Sequence, residues 1–596
     1  MALAFFIGLT PSFQAAGLVL DFLTMRSKAH QLFSVLFLLV FCGLQCFAAG
    51  KPNIVLITLG SARADRMGFL GSHAALTHNL DGVAGQGLVF SQAYAQSPLT
   101  VASTATILTG AYPQTHGASE LGSPLNSSLP YLPDLLHGRG YRTAAFVGSI
   151  LLDPKNGPFQ NFDRGFDSYD AGFHQAKKGE GRLQSVERTG DLVATRAAKW
   201  IEGNTKNSFF VWIQLPDAHA PSAIYNRGIT AEDAAVGKII AALKAQKLYD
   251  DALVVIAADH GESLGAHHEE THGLFLYEDT MLVPLLVKLP QNAQAGKRVK
   301  NRVRLLDVAP TILESAGIPV PSQMQGQSLL RVAQGSSQSD PPAYSRTDFP
   351  QQGFGAAAIE SWRAGKYLYV RAPKPELYDI SADPAAAHNL AQSSKATADT
   401  LASQVQSFDN RFAQGASAGN SGLTSSEMQK LASLGYVGLQ KQGGAQSAVV
   451  TGTDAKDVVA NVNKAIAAMG TIDDGKPEKA IPVLQPLTKA EPNAYLPQFG
   501  MGLALVQQQQ YAQAIPYLRK AIELQAQSGF AHYEMGVSLM KTNDFKSAAV
   551  HLEIASGRLP NFAELHAVLA EVYARLGRND DANRERTRAS QLLPKS

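Results

Sequence analysis

The sequence predicts an α/β fold: a mostly parallel sheet sandwiched by helices, then a small β-rich subdomain, then an all-α repeat tail. Three observations carry this. Apolar runs without helical period, at Asn53 to Leu59, Thr143 to Val147, Phe209 to Leu215 and from Leu253 onward, read as buried parallel strands. Helical segments such as Asp191 to Glu202 and Ala231 to Gln246 lie between the strands, and such alternation puts helices on both faces of one sheet. Small residues recur every 34 positions near the C-terminus: Gly502, Gly536 and Ala570; Ala480, Ala514, Ala548 and Ala582; Ala521, Ala555 and Ala589. Small side chains at fixed phase let paired helices approach closely, and this period is that of the tetratricopeptide repeat, with room for four repeats after Ala460.

Between sheet and tail, Thr347 to Asn389 reads as β-rich, with Lys366 to Val370 and Glu376 to Asp379 as its clearest strands. The Gly-, Ser- and Ala-rich stretch Gln442 to Thr453 reads as a linker. The expected organisation is an N-terminal apolar segment (1–50), an α/β domain (51–440), a linker (441–455) and a repeat domain (456–596).

With 596 residues there is room for one large domain and its appendages. A formal net charge of +2 and only 17% charged residues provide no basic surface for a polyanion, so no nucleic acid partner is expected. Arg26, Lys28 and His30 precede the apolar run Leu32 to Phe47, and Ala48-Ala49-Gly50 offers a cleavage site, which together read as an export signal starting at Met25. The run is shorter than the roughly 20 residues a membrane span needs, so cleavage and a periplasmic or secreted protein are expected. Membrane anchoring is the alternative if the segment is kept. Cys42 and Cys46 both lie in it, so cleavage leaves a chain without thiols.

The chemistry concentrates at strand exits. Asp259 and His260 end the run that opens at Leu253, and Glu262, His267, His268, Glu269, Glu270 and His272 follow in the next loop. Ligands bind at the carboxyl ends of parallel strands, and a carboxylate beside an imidazole suits a divalent transition metal. Asp217 and His219 form a second pair after the Phe209 to Leu215 strand, in a turn stiffened by Pro216 and Pro221. Thr100 opens a helix that ends at Gly110, which puts its hydroxyl beside free backbone N–H groups; the alternative is a plain N-cap.

These segments resemble the sulfatase family of the alkaline phosphatase superfamily, in particular sulfatase-like proteins with a tetratricopeptide tail. The resemblance rests on K-P-N-I-V-L-I-T-L, R-A-D, L-T-G-A-Y-P-Q-T-H-G, the D-A-H-A-P turn, A-A-D-H-G-E-S-L-G, E-E-T-H-G-L-F-L-Y-E, P-E-L-Y-D-I-S-A-D-P and L-A-S-L-G-Y-V-G, in that order. It implies an alkaline-phosphatase-like sheet and a divalent ion (Zn, Mn or Ca) held by Asp259, His260 and the Thr100 oxygen. It further implies Thr100 as nucleophile, with His116, His219 and His272 holding ester oxygens or protonating the leaving group. In two-metal relatives Asp217 would join a second ion.

The departures from that pattern are specific. Gly60 stands where the family has a metal-binding Asp after the first strand, and Asp65 matches a different family aspartate. Thr100 stands where sulfatases place the Cys or Ser that becomes formylglycine, and Thr104 where they place an Arg. Two functions follow as expectations. One is an exported hydrolase of phosphate or sulfate esters using a metal-activated Thr100; the other is a catalytically impaired relative acting as a scaffold. In both, the repeat tail would bind a protein or peptide.

Overall fold

The computed structural model describes residues 51–74, 76–119, 124–154, 160–171, 188–218, 223–335, 340–413, 424–434, 436 and 452–593. The expected export signal with its two cysteines, His219, and linker residues 441–451 lie outside the described residues.

Eight strands make the main sheet: β1 (Ile54–Leu59), β2 (Leu88–Tyr94), β3 (Arg142–Val147), β4 (Ser168–Asp170), β5 (Phe209–Leu215), β6 (Leu253–Ala258), β7 (Leu282–Lys288) and β8 (Arg298–Arg304). They lie in the order β4-β3-β5-β1-β6-β7-β2-β8. Only β7 runs antiparallel to its neighbours, so the sheet is mostly parallel as expected. β1, β5 and β6 are completely buried, which is why they read as continuous apolar runs. Their register is the fact that makes a site: Leu59 pairs with Leu215 on one side and with Ala258 on the other. All three strands therefore stop at one level, and Gly60, Pro216 and Asp259 leave the sheet together.

The helices that position the site are α1 (Thr100–Thr109), α2 (Gly190–Gly203) and α3 (Tyr225–Ala245). α3 begins six residues before its predicted start. Its extra turn presses onto the exit of β5, where a Cβ on Gly228 would stand 2.2 Å from the Asp217 carbonyl oxygen. Only glycine allows that approach, and the apolar periodicity does not show it. The second sheet is antiparallel, in the order β12 (Glu376–Asp379), β11 (Tyr367–Arg371), β10 (Ile359–Ala364), β9 (Ala343–Thr347). The short helix α4 (Phe349–Phe354) follows β9, and α5 (Lys395–Ala413) and α6 (Ser425–Ser433) follow the sheet.

The tail runs as α7 (Ala455–Asp473), α8 (Pro477–Ala490), α9 (Tyr495–Gln507), α10 (Tyr511–Leu524), α11 (Gly529–Lys541), α12 (Phe545–Arg558), α13 (Ala563–Arg575) and α14 (Asn579–Leu592). The 34-residue phase has a direct packing cause. A Cβ on Gly502 would stand 2.6 Å from Leu518, and one on Gly536 would stand 2.5 Å from Leu552, so each glycine lets the two helices of its repeat close.

Tail and sheet share apolar interior. Val458, Val459 and Val462 of α7 are buried in the same cluster as the strands of the main sheet. Conversely Leu431 and Tyr436, which the sequence assigns to the α/β domain, are buried in the core of the tail. Residues Asn53–Ser596 form one compact unit, and the parts interleave in space although they follow one another in sequence. Replacing Gly536 by Val is expected to lower the unfolding free energy by about 1–3 kcal/mol through overpacking against Leu552, read as a shifted urea midpoint.

Candidate functional site

The site is built from backbone first. At the exit of β1 two consecutive N–H groups each meet a buried carboxylate: Gly60 donates to Glu232 Oε1 at 3.1 Å, and Ser61 donates to Asp259 Oδ1 at 2.9 Å. Ser61 adopts φ 57°, a left-handed turn that a side chain rarely accepts. Tyr225 of α3 fastens this turn, its hydroxyl donating to Ser61 O at 2.6 Å and accepting from Arg63 N at 2.9 Å. Asp259 Oδ1 also accepts from the backbone N of His260 at 2.7 Å. Asp259 Oδ2 and Glu232 Oε2 are buried without a hydrogen-bond partner.

α1 is fixed over this point by Ser103, whose hydroxyl donates to Asp259 O at 2.5 Å. Gly261 is required next to the pair, since a Cβ there would stand 2.0 Å from Asp279 O. Thr100 is the first residue of α1; the cap position belongs to Leu99 and no side chain caps the helix, so the plain N-cap alternative does not hold. Instead Thr100 Oγ1 lies 3.2 Å from His260 Nε2. His260 Nδ1 lies 2.8 Å from Gly261 O, which can only accept. The proton of the neutral ring is thus on Nδ1, and the Thr100 hydroxyl donates to Nε2. Burial lowers the pKa of His260, which keeps the ring neutral.

His272 completes the group. Its ring centroid is 4.3 Å from that of His260, and its Nδ1 lies 3.1 Å from the Glu262 carboxylate. Burial pulls His272 down to about 4. Thr100, Asp259, His260 and His272 therefore lie together.

Two other expected residues have hydrogen-bond partners of their own. His116 is fully buried, accepts from Ala118 N at Nδ1 (3.2 Å) and donates from Nε2 to Thr106 Oγ1 (3.0 Å), and burial lowers it to about 3. Both its nitrogens serve the fold. Asp217 Oδ2 accepts from Gly190 N at 2.8 Å, at the start of α2, and burial raises its pKa. Asp65 pairs with Arg63 at 2.8 Å and its side chain is half exposed.

Sequence reasoning missed Glu232 and the role of Ser61, and named Glu262 only among the donor residues of its loop. Glu232 had a legible signal: it falls within the apolar stripe Ile229, Val236, Ile239, Leu243 of α3, where a charge needs a reason. Burial holds its carboxyl well above the usual range, with Asp217 and Asp259 adding to the shift. Ser61 acquires its role only through Asp259, 198 positions away, whereas Glu262 meets His272 within one loop.

Among the described residues no group of three or more His, Cys, Asp or Glu side chains is arranged to hold a metal ion. Asp259 Oδ1 and His260 Nε2 stand 3.8 Å apart, Glu232 Oε1 accepts from Gly60 N, and Gly60 has no side chain to supply a carboxylate. The carboxylate that the resemblance places after the first strand is absent because the residue there is glycine. Thr104, in the place of the expected Arg, is buried with its hydroxyl unpartnered.

Comparison with known proteins agrees with this geometry. A family profile described as Sulfatase matches residues 52–318, and one described as N-sulphoglucosamine sulphohydrolase, C-terminal, matches 270–411. Tetratricopeptide repeat profiles match 469–529 and 533–583. The chain is a sulfatase-like protein with a tetratricopeptide tail. It is 25% identical over 436 residues to the Delta 4,5-hexuronate-2-O-sulfatase of Bacteroides thetaiotaomicron, covering 60% of this chain and 88% of that protein. It is 31% identical over 179 residues to human arylsulfatase K, which is 28% of this chain and 33% of the relative. The phosphonate monoester hydrolase of Agrobacterium radiobacter shares the fold, with a TM-score of 0.53 at 18% identity over 61% of this chain and 96% of that one. Members of the family generally use a divalent metal ion.

Two outcomes are expected of this sulfatase-like site. His116 is neutral in the native state and titrates at about 6.5 when unfolded, so its contribution to stability is complete above about pH 6.5 and is lost as the pH falls toward about 3. Urea midpoints at pH 7.5 and pH 5 should therefore drop less in His116→Gln than in the parent. Gly60→Asp should remain folded, because Gly60 is not in the left-handed region and its new Cβ would meet Leu215 O at 3.0 Å, a contact relieved by a few tenths of an ångström. The added carboxylate should tighten Mn²⁺ or Ca²⁺ binding in a side-by-side calorimetric titration. Unchanged binding would show that the site has lost more than one ligand.

Proposed function

We propose that this protein hydrolyses phosphate, phosphonate or sulfate esters at Thr100, with His260 as the base. The observation that supports this reading most directly is the contact of Thr100 Oγ1 with the lone pair of His260 Nε2, in a tautomer fixed by Gly261 O. A nucleophile within reach of a base, which is itself oriented by a third group, is the arrangement covalent catalysis needs. In the first step the Thr100 oxygen bonds to phosphorus or sulfur, its proton passes to His260 Nε2, and the ester oxygen leaves with a proton. His260, protonated in that step, hands the proton on to the leaving oxygen, and His272, held by Glu262 beside it, lines the site. Water then cleaves the threonyl ester, returning the proton and freeing the acid. Because Thr100 cannot form the aldehyde that expels sulfate, phosphate or phosphonate esters suit this chemistry better than sulfate esters. The N-terminus of α1 contributes N–H groups toward the charge that develops. The protein is read as exported, with the tail engaging a protein or peptide.

A second reading, a catalytically impaired relative working as a scaffold, is favoured by the incomplete ion-binding set at Gly60 and the orphaned Thr104 hydroxyl. One experiment separates the two. With bis-p-nitrophenyl phosphate as substrate, the parent and Thr100→Ser should turn over and Thr100→Ala should not, while all three unfold at similar urea concentrations. No turnover by the parent, in a chain carrying its usual metal content, supports the scaffold.

A further inference from the structure

The loop that carries His272 is an unusual piece of backbone. Leu264, His267 and His268 have φ of 54°, 52° and 65°, and none is glycine. Residues held in that region persist only where the surroundings over-determine them. Within the α/β domain the loop is tied by Glu269, which accepts from Ser263 Oγ at 2.8 Å and from Leu274 N at 2.6 Å. Backbone bonds within the loop, Ser263 N to Thr271 O and Gly265 N to Glu269 O, both 2.8 Å, add to this, and two further ties come from the repeat tail.

Asn463, on α7, reads the loop backbone on both sides of Glu269. Its Nδ2 donates to His268 O at 2.7 Å and its Oδ1 accepts from Glu270 N at 3.3 Å, so one side-chain amide does what a neighbouring strand would do. A second tie runs through Lys456 on the same helix. Lys456 pairs with Glu376, Glu376 accepts from the Tyr277 hydroxyl at 2.7 Å, and the His267 ring stacks on Tyr277 at 3.7 Å between centroids. The two residues lie seven apart, two helical turns, which puts them on one face of α7. Beside and behind these two residues Val458, Val459 and Val462 anchor the helix in the main core, so α7 is a rigid support for the loop.

We propose that Asn463 and Lys456 are positioning residues of the active site, through which the first repeat helix sets the conformation of the loop bearing His272. The tail is then part of the machinery that holds the site, and its removal leaves the loop without two of its supports. The part of this inference that concerns turnover rests on the hydrolase reading above; the part that concerns loop order does not.

The test uses the full chain and two readouts. Hydrogen exchange is followed at residues 263–272 in the parent, in Asn463→Ala, Asn463→Asp and Lys456→Met, and in Lys464→Ala, an exposed neighbour on the same helix. Asn463→Ala should exchange faster at Glu270 and across the loop, with α11 to α14 unchanged. Asn463→Asp keeps an acceptor and should restore protection at Glu270. Lys456→Met should loosen the loop, and Lys464→Ala should match the parent. Where the parent turns over bis-p-nitrophenyl phosphate, Asn463→Ala should lower kcat by about ten- to a hundredfold with KM nearly unchanged. Loop exchange equal to that of the parent, or exchange raised equally throughout the tail, overturns the proposal. A parent without turnover counts against the hydrolase reading alone, and the exchange data still decide the positioning role.

Discussion

The site depends on one buried carboxylate oxygen. Asp259 Oδ1 accepts two backbone hydrogen bonds, from Ser61 and from His260, at the level where β1 and β6 end together. Those bonds bring the exit turn of one strand to the exit of its neighbour and fix the direction in which His260 leaves. A carboxylate acceptor strengthens both bonds, and burial keeps the N–H groups from bulk solvent. α1 is then fastened to the same residue by Ser103, so the position of Thr100 also follows from Asp259.

Electrostatics gives this arrangement its chemical character. The imidazoles are buried deeply enough to be neutral, while carboxylates crowd the same strand exits and burial holds the Glu232 carboxyl protonated well above the usual range. The site thus joins neutral imidazoles to the guanidinium of Arg63, which donates to Glu262 O at 2.8 Å, and to the N–H groups at the start of α1. That balance favours proton transfer from a hydroxyl, and it explains why the loss of a carboxylate at position 60 matters. With glycine at that point no side-chain carboxylate joins Asp259, and the N–H groups of the turn are the partners of Glu232 Oε1 and Asp259 Oδ1.

The tail bears on the same site by an indirect route. Its helices close because glycines accept leucines at a fixed phase, and its first helix carries apolar residues into the sheet's core on one face and polar residues toward the active-site loop on another. Packing and positioning are thus done by a single helix. A repeat array joined by a free linker would leave the loop without these ties.

The sequence by itself determined the sheet, the repeats and four members of the candidate site. Strands buried on both faces must be continuously apolar, repeats must keep small residues in phase, and Thr100, Asp259, His260 and His272 sit where local pattern puts chemistry. Local pattern is carried by near neighbours, so it is legible in one dimension. Whether His116 and Asp217 join the site was decided by contacts with Thr106, Ala118 and Gly190, which neutralise the polar demand of those side chains inside the fold. Glu232 reaches Gly60 across 172 positions, and Asn463 reaches Glu270 across 193. Only tertiary structure could make those assignments, because a hydrogen bond depends on a distance of about 3 Å in space and leaves no period or composition in the chain.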